Sequence, residues 1–133
     1  MKRILLILVL ASSSTVADEK DCMSRAQSHT EQDQCQLEEL NRLDKELNRI
    51  YPYALNSLPV HDESDPRKQQ EQLRKSQRAW LVYVQENCAL EGGLEGGSSA
   101  WVSTFSSSCK KEELRKRIEY LRKIACRTQD FCN

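Results

Sequence analysis

Catalysis or metal binding would have to draw on titratable, nucleophilic or metal-ligating side chains at fixed spacing, and few in this chain are set out that way. His29 and His61 are the only histidines, each among polar residues. That is too little imidazole for a metal cluster or a Ser/His/Asp triad, and both read as exposed loop residues. The 20 carboxylates are interspersed with 20 Lys and Arg. No acidic side chain therefore has the apolar setting that would raise its pKa for acid catalysis. No P-loop, G-x-S-x-G or H-E-x-x-H occurs. Of the six cysteines, no two are spaced C-x-x-C, which disfavours redox or zinc-ribbon chemistry. The expectation is a protein that is not an enzyme and uses no metal or cofactor.

Those cysteines, Cys22, Cys35, Cys88, Cys109, Cys126 and Cys132, all follow what reads as an export leader. Residues 1–17 begin with Lys2 and Arg3, pass through a short apolar core at 4–10, and end with Thr15 and Ala17 three and one residues before the expected cut. This segment is too short to anchor in a bilayer, and no later stretch is long and apolar enough to span one. Glu19, Lys20 and Asp21 precede Cys22, unlike a lipid-attachment site. The expected mature protein is a single domain over residues 18–133, periplasmic or secreted, with its even cysteine count committed to disulfides. Without Lys2 and Arg3 its formal charge is −2, which argues against nucleic-acid binding.

The elements that would position a site are helices. Residues 73–88, LRKSQRAWLVYVQENC, carry Leu73, Ser76, Ala79 and Trp80 at helical spacing, then six apolar residues in succession, 79–84. Helix-forming flanks without Gly or Pro favour a helix over a buried strand, and an all-round apolar helix is one that neighbours cover on several sides. It is predicted to be the central helix, with Trp80 and Tyr83 in the core. Before it, Leu40, Leu43, Leu47, Ile50, Ala54 and Leu58 form a narrow apolar stripe, capped by Thr30 with Asp33 and kinked or broken at Pro52. Residues 18–29 read as one or two helical turns, and Asp65-Pro66 as a helix start. A third helix, capped by Ser98 or Ser99, carries Trp101, Phe105, Cys109, Leu114, Ile118, Leu121 and Ala125. On it, Glu112 with Lys116, Glu113 with Arg117, and Glu119 with Lys123 make favourable i, i+4 pairs on a solvated face. The fold class is all-α: a small disulfide-stapled bundle of about three main helices, an antiparallel hairpin plus one, with Leu47, Tyr51, Leu73, Trp80, Tyr83 and Leu121 as its core.

All four glycines, Gly92, Gly93, Gly96 and Gly97, fall within six residues, and such density predicts that the central helix ends near Glu91 in a loop. Antiparallel packing would bring Cys22, Cys35, Cys88 and Cys109 to the same end of the bundle. Sequential pairing, Cys22–Cys35, Cys88–Cys109 and Cys126–Cys132, is the simplest of 15 possibilities, with Cys35–Cys88 its main rival. A loop braced by Cys88–Cys109 and presenting Glu91, Leu94, Glu95 and Ser98 is the candidate surface for entering a cleft in a protein partner. A plain connector is the alternative.

Several segments resemble the small exported family named after the lysozyme inhibitor LprI: Cys22 and Cys35 thirteen apart, LNRIYPYAL (47–55), LRKSQRAWLVYVQENC (73–88), GGS (96–98), Cys109, and Arg117 with Leu121. Members commonly follow the tryptophan with Y-R-D, where this chain has Tyr83, Val84 and Gln85, and Cys126 and Cys132 stand outside the pattern. The resemblance implies a binding protein that inhibits a lysozyme-type muramidase, or another peptidoglycan hydrolase, by blocking its cleft. An immunity protein against a wall-degrading toxin is a special case. An envelope interaction or structural module with no muramidase target is the alternative, and a hydrolase the weakest option.

Overall fold

A computed structural model describes residues 17–60, 65, 67–127 and 132. The expected leader up to residue 16, His61 and Pro66 lie outside these. Among the described residues the protein is all-helical: α1 (Ala17–Arg25), α2 (His29–Asn56), α3 (Lys68–Glu95) and α4 (Ser99–Ala125). The three long helices are those expected, and α1 adds a short fourth.

Local sequence sets the boundaries, though not always where expected. Ser28, rather than Thr30, caps α2, in a capping box with Glu31. The Glu31 carboxylate accepts the backbone N–H groups of Gln27 and Ser28 at 2.6 and 3.2 Å. His29 is thereby the first residue of a helix and not part of a loop. Pro52 does not split α2, which runs on to Asn56. An interior proline costs about 3 kcal/mol, but Ile50 and Ala54 on either side are fully buried, and their packing outweighs it. Leu58 falls beyond the helix end.

The larger correction concerns the glycines. α3 does not stop at Glu91 but continues through Gly92 and Gly93 to Glu95. Gly92 is buried against α4, where a Cβ would meet the Val102 carbonyl oxygen at 2.6 Å and Ser106 Cβ at 3.2 Å. Its lack of a side chain lets two helices approach each other. Only Gly96 and Gly97, at φ 68° and 93°, form the turn into α4.

α3 and α4 form the antiparallel hairpin, with Ser76 and Gln77 beside Arg117, Cys88 bonded to Cys109, and Gly92 against Val102. α2 runs parallel to α4: His29 meets Trp101, Glu39 meets Arg115, Glu46 meets Arg122, and Ser57 reaches the Ala125 carbonyl. The central helix is therefore α4, not α3, because α2 and α3 each rest on α4 and barely touch each other. With α4 on one flank only, the apolar run of α3 is left in solvent: Leu81, Val82 and Tyr83 are 52, 63 and 50% exposed. Tyr83 is thus not core. Leu47, Leu73 and Leu121 are, together with Leu43, Ile50, Ala54, Leu114, Ile118, Ile124 and Ala125, while Tyr51 and Trp80 pack half-buried on the edge.

The disulfides are Cys22–Cys35, Cys88–Cys109 and Cys126–Cys132, with Cα–Cα separations of 5.8, 5.4 and 5.5 Å. Each is expected to contribute on the order of 2–4 kcal/mol. The first holds α1 to the start of α2, and ion pairs complete the attachment: Glu19 contacts both Lys111 and Arg115. Arg115 also reaches Glu39, which Arg42 grips from its own helix. Burial would raise the Glu39 carboxyl, but Arg42 and Arg115 outweigh it and hold it below the ordinary range. Glu46 is lowered by the hydrogen bond from Arg49, with Arg122 adding to it against burial. The charged face of α4 is therefore partly a clamp onto its neighbours.

Two outcomes follow. Gly92→Ala lowers stability by about 1–3 kcal/mol through overpacking against α4, whereas Gly93→Ala, with nothing within 4 Å, raises it by about 0.5–1 kcal/mol; paired thermal melts check both signs. Because Glu39 and Glu46 are depressed in the folded state, they stabilise it above the ordinary Glu value of 4.5, and that contribution is lost as pH falls through the lower folded value. Melts stepped down from neutral pH should show Glu39→Gln starting less stable than the parent but declining less steeply.

Candidate partner-binding surface on the α3–α4 hairpin

Residues 79–109 contain three glutamates and no Lys, Arg or His. They form the second half of α3, the glycine turn and the first part of α4, so one end of the hairpin carries no positive side chain. The main core lies elsewhere, between the far halves of α2 and α4 and the start of α3, and Val84 and Cys88 are the buried apolar side chains of this end. The Cys88–Cys109 bond and the close contact at Gly92 help fix its shape.

Of the residues singled out in the sequence, Glu91 and Glu95 lie one turn apart on α3 and line a groove of about 410 Å³ between the two helices. Glu112 and Glu113 line its α4 wall, with Tyr83 and Phe105 as ring surfaces and Lys116 at one end. Leu94 stands beside it on α3, 77% exposed. Ser98 is apart from the groove: it takes the N-cap position of α4 without a capping hydrogen bond, in a small cleft with His29, Asp33 and Trp101. The expected loop is therefore mostly helix, and its carboxylates project from a rigid rod. Glu112, Glu113, Tyr83 and Phe105 were not expected here; the 31-residue gap in basic residues was the signal that marks this end.

The groove is not built for acid catalysis. Lys116 pairs with Glu112 at 2.8 Å and with Glu113 at 3.0 Å. The Glu112 carboxyl is pushed below its usual range by that ammonium, opposite to the direction a general acid needs. Among the described residues no group of His, Cys, Asp and Glu could hold a metal ion.

Glu113 pairs with Lys116 rather than with Arg117, contrary to expectation, because Arg117 turns inward. Its Nε donates to Gln77 Oε1 at 2.9 Å and its Nη2 to Ser76 Oγ at 3.1 Å. The guanidinium lies 5.6 Å from the Trp80 ring centre and 5.1 Å from that of Tyr120. Burial lowers its pKa, and among the described residues no carboxylate pairs with it. Ser76, Gln77 and Trp80 of the S-Q-R-A-W segment thus join α3 to α4 through one arginine. This box positions the hairpin; its groups are spent on each other.

Trp80→Ala should cost about 2–3 kcal/mol, since the ring is half-buried on both core and Arg117. Tyr83→Ala should stay within about 0.5 kcal/mol of the parent in the same denaturation series.

No solved structure matches the chain. It is 27% identical over 126 residues to an uncharacterized protein of Rhizobium meliloti (strain 1021), covering 90% of this chain and 89% of that one. The sequence model of the family described as "Lysozyme inhibitor LprI" matches residues 21–121, from within α1 to the core residue Leu121 in the last part of α4, and so takes in both inter-helix disulfides, the arginine box and all of the hairpin but the last turn of α4. The chain belongs to the lysozyme inhibitor LprI family.

Proposed function

We propose that this protein is an exported, non-enzymatic inhibitor of a lysozyme-type muramidase, and that it blocks the enzyme's cleft with the end of the α3–α4 hairpin. The observation that carries this reading is the hairpin end itself: an exposed Leu94 beside the carboxylates of Glu91 and Glu95, no cation over residues 79–109, and a disulfide at the base. A rigid projection loses little conformational entropy on binding, which is how a small protein gains affinity from a limited surface. Its charge suits the target. A muramidase acts on an anionic wall polymer and gains from a basic approach to its cleft, so an acidic tip is drawn in and its encounter accelerated.

The family description supports the inhibitor role, and three disulfides fit a periplasmic or secreted location. Among the described residues no helix is long and apolar enough to cross a membrane.

Purified residues 18–133 should abolish cell-wall lysis by at least one of several muramidase types at micromolar excess. Full lysis by every type tested would overturn the reading. Leu94→Ala and Glu95→Lys should each weaken inhibition by about tenfold or more with helical circular dichroism unchanged. Equal inhibition by both variants would move the contact surface elsewhere.

A further inference from the structure

The outer face of α3 is a second exposed surface, distinct from the groove between α3 and α4. α4 covers one side of this helix and α2 barely reaches it. Leu81, Val82 and Leu90 are consequently more than half exposed on a 28-residue helix. Such a patch on an exported protein is a site of association.

The charges along the same helix indicate what covers it. On the side of the helix that Val82 occupies, Lys75 and Arg78 precede it and Glu86 follows it, whereas Glu91 and Glu95 turn into the groove with α4. Among the described residues none of Lys75, Arg78 and Glu86 is held in an ion pair within the chain. A uniformly cationic partner on this face would be repelled by Lys75 and Arg78, and a uniformly anionic one by Glu86. A surface that is basic at one end, acidic at the other and apolar between complements the same surface turned end for end.

We infer that α3 is a self-association face, and that two copies of the chain pair antiparallel through it about a twofold axis at Val82. Arg78 and Glu86 each lie four residues, about one turn, from Val82, on its side of the helix. An antiparallel pair centred there sets Arg78 of each copy against Glu86 of the other, twice by symmetry. Val82 packs on its own copy at the centre, and the exposed Ala79 and Ala89 let the helices approach. A parallel pair would instead face arginine with arginine. The two helix dipoles also oppose each other in the antiparallel arrangement. One helix face is at the small end of specific interfaces, so the dimer is reversible, concentration-dependent and weakened by salt. The two hairpin ends project at opposite poles, and each copy keeps Leu94 and Ser98 available; the inference does not rest on which target those residues meet.

The test is sedimentation equilibrium of purified residues 18–133 across micromolar to millimolar concentrations, in low salt and in half-molar salt, with circular dichroism confirming the fold of every variant. Dimerisation that weakens in salt is expected. Arg78→Glu and Glu86→Arg should each weaken it by about tenfold, and the double variant R78E/E86R should restore it, because the swapped charges again meet across the axis. Val82→Glu should give a monomer that still inhibits any muramidase the parent inhibits. A chain that stays monomeric at millimolar concentration in low salt overturns the proposal. So does a double variant no better than the singles, or hydrogen exchange in which residues 78–90 are protected only when a muramidase is added, which would assign the face to that partner.

Discussion

The structure depends on α4 serving two neighbours at once. Its later residues Leu114, Ile118, Leu121 and Ile124 close the core with α2, while Val102, Ser106 and Cys109 meet α3 in the earlier half. Because α2 and α3 scarcely touch, neither can compensate for a displaced α4. The arginine box and the acidic clamp secure this shared helix on its two flanks: Arg117 reaches Ser76 and Gln77 on α3, and Arg115 and Arg122 reach Glu39 and Glu46 on α2. One basic helix is thus held on one side by neutral and aromatic groups and on the other by carboxylates.

This arrangement divides the molecule into two poles with different sources of order. At the pole where α2 and α4 end, apolar burial does the work, and residues such as Ile50 and Leu121 are sealed from water. At the other, a 31-residue segment carries no cation and buries little beyond Val84 and Cys88, and a covalent bond with one glycine contact helps set its shape. Surface that need not be buried for stability is available for recognition. The exposed rings and leucines of the hairpin accordingly lie at the pole that the core leaves alone.

Much of the fold was legible in the chain. The three-and-four spacing from Leu40 to Ala54 identified α2 because its stripe faces a single partner, and the even, widely spaced cysteines identified a disulfide-stapled domain. Tyr83 was misplaced because six apolar residues in a row signal burial only when neighbours surround the helix, and how many neighbours α3 has is a tertiary fact. Gly92 and Gly93 were read as a loop because composition does not distinguish a glycine that frees the backbone from one that admits another helix. Glu113 and Arg117 sit at ideal spacing for a surface pair, yet the pull of Trp80 and Gln77 on the guanidinium acts across 40 residues of sequence, beyond any local pattern. Glu91 and Glu95 were found through their neighbourhood in the chain. Glu112 and Glu113, on the opposite wall of the groove, come within reach only once the hairpin is closed.

The reliance of the hairpin end on a single sulfur bridge ties its shape to where the protein is. In a reducing cytoplasm Cys88 and Cys109 stay as thiols, and the apolar pole can assemble while the acidic tip frays. An oxidising space locks the tip through Cys88–Cys109 and also closes Cys126–Cys132 just past the end of α4. The geometry of the tip is thus set by redox chemistry, whereas that of the far pole rests on side chains sealed from water.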